Sequence, residues 1–108
     1  MKPFILLFIF SSLLCCTGSW RHAEIRVSGN CEMCREKIET ALKIPGVQRA
    51  NWSAESKILE LYYDESSITM ATIRHKLADA GYDSDSLRAV DSVYSQLHEC
   101  CHYREKQP

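Results

Sequence analysis

The sequence predicts an α+β domain in which two amphipathic helices cover one face of a four-stranded antiparallel sheet. Three observations lead there: stretches that alternate apolar and polar residues, stretches with apolar residues at helical spacing, and their order, strand, helix, strand, strand, helix, strand. At 108 residues the chain has room for one such core and not for two.

The first strand is Ala23-Glu24-Ile25-Arg26-Val27-Ser28, which alternates at period two and is ended by Gly29-Asn30. From Met33 to Lys43 the spacing of Cys34, Ile38, Ala41 and Leu42 predicts a helix with one buried face, stopped by Pro45-Gly46. Val47 to Ala54 alternates again, with Val47, Arg49, Asn51 and Ser53 on one face and Gln48, Ala50, Trp52 and Ala54 on the other, and its polarity leaves the buried face open. After Glu55-Ser56, the β-rich run from Lys57 to Tyr63 pairs with it as a hairpin. Ile68 to Ala80 sets Ile68, Ile73, Leu77 and Ala80 near one stripe, with Ser67 placed to cap the start and Gly81 just past the end. Part of Tyr82 to Val90 reads as an edge strand. This βαββαβ order is the split βαβ, or ferredoxin-like, arrangement. Ala89 to Leu97 suits a short extra helix ahead of a Cys/His tail.

The start of the chain differs from all of this. Met1-Lys2-Pro3, the apolar run Phe4 to Phe10, Leu13-Leu14 and the small residues Thr17-Gly18-Ser19 have the layout of a secretory signal. The apolar stretch falls short of the ~18 to 20 residues that a membrane-spanning helix needs. Leu13-Leu14-Cys15-Cys16 looks like a loose lipoprotein box, so lipid anchoring is the alternative to clean cleavage and the one route to a membrane. The expected organisation is a signal over 1–19, a domain over 20–88, and a helix and tail over 89–108, in a protein exported to the periplasm or cell envelope.

A formal net charge of -1 without a basic stripe argues against nucleic acid as a partner. No Ser/His/Asp set, phosphate loop or carboxylate pair is recognisable, which points to a non-enzyme. Of the six cysteines, the signal contains Cys15 and Cys16, leaving Cys31, Cys34, Cys100 and Cys101. Small secreted folds often use such cysteines as disulfide staples. Here they form two local pairs at opposite ends of a domain with its own apolar periodicity.

Cys31-Glu32-Met33-Cys34 joins the first strand to the first helix, where helix amides favour an anion and lower a thiol pKa. A thiolate pair in a loop selects soft cations such as Cu(I), whereas structural zinc wants four ligands. Two other readings fit the spacing: a buried or disulfide-bonded pair, and a thiol-disulfide redox motif. The redox reading lacks the special proline that faces such a pair, since the prolines past the signal are Pro45, in a helix-ending turn, and Pro108.

Val27-Ser28-Gly29-Asn30-Cys31-Glu32-Met33-Cys34, then Ile38 and Leu42, Ile44-Pro45-Gly46-Val47, and Ala78-Asp79-Ala80-Gly81-Tyr82 together resemble the landmarks of heavy-metal-associated domains, the fold of copper chaperones and mercury carriers. The resemblance runs from about Ala23 to Leu87. It implies the ferredoxin-like fold, a surface loop carrying Cys31 and Cys34 as metal ligands, and Cu(I) as cargo, with Hg(II) and Zn(II) as alternatives. It also implies a transfer partner, such as a metal-transporting ATPase or another metal-binding domain. One departure stands out: the family pattern has Met two positions before the first cysteine, and Gly29 occupies that place. Met33 is expected as an exposed loop side chain. Tyr82 stands where relatives carry an aromatic or a lysine, so it either screens the bound ion or packs as an ordinary core ring.

The tail is not explained by that pattern. His98, Cys100, Cys101 and His102 gather soft and borderline ligands within five residues. A short helix and a few extended residues have the reach to bring Cys100 or Cys101 back to the loop as an additional ligand or guard. His75 falls on the polar side of the second helix, and His22 in the terminus ahead of the first strand.

Overall fold

The computed structural model describes residues 19–105, so the expected signal, apart from Ser19, lies outside the described residues. The elements are β1 (Trp20–Arg26), α1 (Glu32–Ala41), β2 (Val47–Trp52), β3 (Ile58–Asp64), α2 (Met70–Asp79) and a short α3 (Asp91–Tyr94), followed by two single 3₁₀ turns, Glu99–Cys101 and Tyr103–Glu105. β3 lies between β1 and β2 and is antiparallel to both. Among the described residues no helix is long and apolar enough to cross a membrane.

Period-two alternation and the ladder register together decide which face is buried. Ile25 lies opposite Leu59, Trp52 lies opposite Leu59 from the other side, and Ala23 and Ala50 flank Leu61. A bulge between Val47 and Arg49 rephases β2, so that Val47 meets Tyr63 and joins Ala50 and Trp52 on the inner face. Cys34 and Ile38 of α1 and Leu42 at its C-terminal cap, with Ile73 and Leu77 of α2, complete one core with Leu59 and Leu61. Each such aliphatic side chain, fully buried, contributes about 1.5–3 kcal/mol. Strand β1 begins earlier than expected, at Trp20, and takes in His22, whose ring stacks on Tyr62 at 4.6 Å instead of fraying.

The expected fourth strand is reduced to a single antiparallel bridge, Val27 with Ser84, which leaves a three-stranded sheet. The reason lies in the hydrogen bonds of this polar run. The Asp83 carbonyl accepts from Ser28 N and Asp85 N donates to the Arg26 carbonyl, but Ser84 N turns inward to Leu87 O and Asp83 N donates to the Tyr103 phenol. The Asp83 carboxylate is also taken, by Ala89 N and Arg104. The backbone therefore folds over to meet the tail instead of extending a ladder.

Two further expectations are corrected. The cap of α2 is Thr69, whose Oγ1 accepts from Thr72 N at 3.2 Å, while the Ser67 hydroxyl donates to Asp64 in the preceding turn. The extra helix covers only Asp91–Tyr94 within Ala89 to Leu97. At the other end of α2, Gly81 adopts a left-handed φ of 100°, Gly81 N bonds Ala78 O and Tyr82 N bonds Leu77 O. This Schellman closure, which needs glycine, turns the chain so that Tyr82 enters the core below the cysteine loop.

Candidate metal centre

The β1–α1 loop sets Cys31 at the start of α1 with extended backbone, φ −150° and ψ 176°. Its side chain makes no capping hydrogen bond; the larger sulfur instead faces the amides of Met33 and Cys34 in the first helical turn. Burial pushes the Cys31 thiol up, but those amides and the neighbouring thiols of Cys34 and Cys100 outweigh it and hold the pKa at about 7. A helix N-terminus favours a thiolate in this way.

Cys34 lies one turn further on, its Sγ 3.6 Å from that of Cys31, and its thiol donates to Asn30 Oδ1 at 3.0 Å. Contrary to the expected surface loop, Cys34 is fully buried, and only Cys31 is partly open. The floor of the loop is Trp52. Its indole Nε1 donates to Val27 O at 2.9 Å, and its ring fills the space beside Gly29, where an added Cβ would meet ring carbons at 2.8 and 2.9 Å. An aromatic side chain from β2 thus occupies the room that the family's Met would need, and Gly29 is the residue that admits it.

The tail does return. The Sγ atoms of Cys100 and Cys101 are 3.8 and 4.0 Å from that of Cys31 and 3.9 Å from each other, and all four cysteines are present as thiols. Cys31, Cys34 and Cys101 have their sulfurs mutually within 4.8 Å. Cys101 is fully buried, and burial, with the nearby Cys34 thiol, pushes its pKa well up. Cys100 is half-buried at the rim, 3.6 Å from the Met33 sulfur, and Met33 is exposed as expected.

The tail histidines stay outside the sulfur group. His102 Nε2 is 2.9 Å from Leu97 O with its ring against Tyr94, and His98 is exposed. His75 is exposed on α2. Tyr82 is a core ring with no exposure, and among the described residues its hydroxyl meets no oxygen or nitrogen partner and lies beside the Cys34 and Cys101 thiols. Burial, and the charge that Cys34 and Cys101 would carry as thiolates, raise its pKa far above the ordinary phenol value.

The sequence pattern did not reveal what holds the tail. The Tyr103 hydroxyl donates to Gly81 O at 2.8 Å and accepts from Asp83 N at 2.9 Å. Arg104 grips the Asp83 carboxylate through Nε and Nη2, reaches Asp91 and the Ala89 carbonyl, and stacks over Tyr94 at 4.1 Å. Although burial alone would raise it, the Asp83 carboxyl is held below its ordinary range by Arg104 and Ala89 N. The only signal available in the sequence was the aromatic and basic pair Tyr103-Arg104, one residue past the cysteines.

A domain of this topology with paired thiols at a helix start has the ligands that a soft metal ion takes, and comparison with known proteins gives its family. The model of the heavy-metal-associated domain matches residues 24–83, and the chain belongs to that family. It is 34% identical over 61 residues to the copper chaperone CopZ of Staphylococcus saprophyticus, covering 55% of this chain and 90% of that protein. A solved CopZ metallochaperone structure superposes with a TM-score of 0.57 at 29% identity, covering 59% of this chain and 98% of that one. The water-soluble region of the P-type ATPase CopA from Bacillus subtilis gives 0.58 at 30% identity, covering 62% of this chain and 46% of that one.

Proposed function

We propose that the protein binds Cu(I) through Cys31 and Cys34 and carries or buffers it, passing it on by ligand exchange with the paired thiolates of a partner. The observation that carries this reading is the thiol pair at the start of α1, 3.6 Å apart, with Cys31 close to ionisation at neutral pH. Thiolates suit soft monovalent copper better than harder ions. The similarity to copper chaperones favours copper over Hg(II) or Zn(II) as cargo, and the similarity to a region of a P-type ATPase suggests a metal-transporting ATPase or another metal-binding domain as recipient. Such a carrier changes no covalent bond of a substrate, so we regard it as a non-enzyme. The N-terminal residues 1–19 support export to the periplasm or cell envelope, with lipidation at Cys15 or Cys16 as the variant form.

Anaerobic titration of the reduced protein with Cu(I), Hg(II) and Zn(II), beside a Cys31→Ser/Cys34→Ser variant, tests the reading. Tight binding of one Cu(I), preferred over Zn(II) and lost in the variant, is the expected result. A readily cycled disulfide without soft-metal binding would replace the carrier with a redox protein.

A further inference from the structure

We propose that Cys101 is a third thiolate ligand, so that the cargo ion sits in a trigonal site with Cys31 and Cys34 instead of between two sulfurs. This rests on the soft-metal reading of the loop and adds a ligand from the tail.

Sulfur spacing is the first observation. With metal–sulfur bonds of about 2.3 Å, two sulfurs on opposite sides of an ion stand about 4.6 Å apart, whereas three around it in a plane stand about 4.0 Å apart. The Cys31 sulfur is 3.6 Å from Cys34 and 4.0 Å from Cys101, nearer the trigonal spacing than the linear one, and all three are mutually within 4.8 Å. Cys101 is the tail cysteine that reaches both loop sulfurs from a buried position; Cys100 stands at the rim against Met33.

The second observation is the Tyr82 hydroxyl, fully buried, whose near polar neighbours among the described residues are the Cys34 and Cys101 thiols. Metal binding forms sulfur–metal bonds and releases the thiol protons to solvent, which converts these neighbours into anionic acceptors for that O–H.

The third is that the tail is held in place. Tyr103 bridges Gly81 and Asp83, and Arg104 grips Asp83, so Cys101 is set against the loop by bonds made two and three residues beyond it. Arg104 is thus a positioning residue, and a receiving protein must displace Cys101 before it takes the ion.

X-ray absorption at the copper edge on the full chain loaded with one Cu(I) counts the sulfurs. Three are expected in the wild type and in Cys100→Ser, and two in Cys101→Ser. Copper loss from Cys101→Ser to a competing chelator should be faster by roughly 10- to 100-fold, the scale on which a metal site's supporting groups act. Two sulfurs in the wild type, or three retained in Cys101→Ser, overturn the proposal while leaving the two-cysteine carrier standing. Should Cys101→Ser fail to fold, three sulfurs in Cys100→Ser still support the proposal and two there overturn it, and a chain that binds no Cu(I) overturns both readings together.

Discussion

Helices α1 and α2 are both ten residues long and both pack on the same sheet face, yet their N-termini are built differently. α2 is capped by Thr69, whose oxygen satisfies the amide of Thr72. α1 starts at Cys31, which makes no such bond and whose sulfur is turned to the first amides. A missing cap costs about 1 kcal/mol. Helix α2 uses its terminus for its own stability, whereas α1 leaves its terminus for an anionic sulfur and is covered there by the tail.

The sharpest way to break this contrast is to give α1 a cap. Cys31→Asp should abolish Cu(I) binding while raising the metal-free protein's stability to urea by about 0.5–1 kcal/mol; lower stability would mean that the sulfur already serves as well as a cap. The next effect is in reactivity. With the Cys31 pKa at about 7, two units below the reference thiol value of 9.0, its thiolate fraction in mild acid should be about 100-fold that of an unperturbed thiol. Iodoacetamide labelling of Cys31, followed by mass spectrometry, should therefore rise as pH passes through about 7. The fold favours the charged form, so the stability this group contributes is present above the unfolded thiol's pKa and is lost as pH falls through about 7. A labelling midpoint in the ordinary thiol range would remove the role given to the α1 amides.

A smaller effect is expected at the loop floor. Gly29→Ala drives a Cβ into the Trp52 ring, which its bond to Val27 O keeps from moving away, and should cost about 1–3 kcal/mol in thermal unfolding. The smallest belongs to α2: Thr69→Ala should cost about 1 kcal/mol and leave Cu(I) affinity unchanged. A change in affinity there would show that the two helix termini are not independent.

What the sequence revealed and what it concealed follow from the range of the interactions. Cys34, Ile38 and Leu42 lie on one helical face, and Ile25, Leu59 and Leu61 alternate, so spacing alone located α1, β1, β3 and the loop sulfurs. The face of β2 was hidden because the bulge near Gln48 shifts its phase. The fourth strand failed because Asp83, which reads as a polar strand residue, is taken by Tyr103 and Arg104, twenty and twenty-one positions away. Ser67 and Thr69 are both plausible caps, and only the bond to Thr72 distinguishes them. The reach of the tail was legible from its length, but the burial of Cys101 was not, since no period or motif marks Tyr103 and Arg104 as its anchors.

The indole that supports the loop also makes the protein its own optical gauge. Trp52 is 3% exposed and touches the space shared by Gly29 and the Cys34 Cβ, whereas Trp20, at the edge of the sheet, is half exposed. The two should emit at different wavelengths, the buried one bluer, so filling the site dims one colour and spares the other. Occupancy of the cargo site can then be followed by ultraviolet fluorescence alone, with Trp20 as the internal reference.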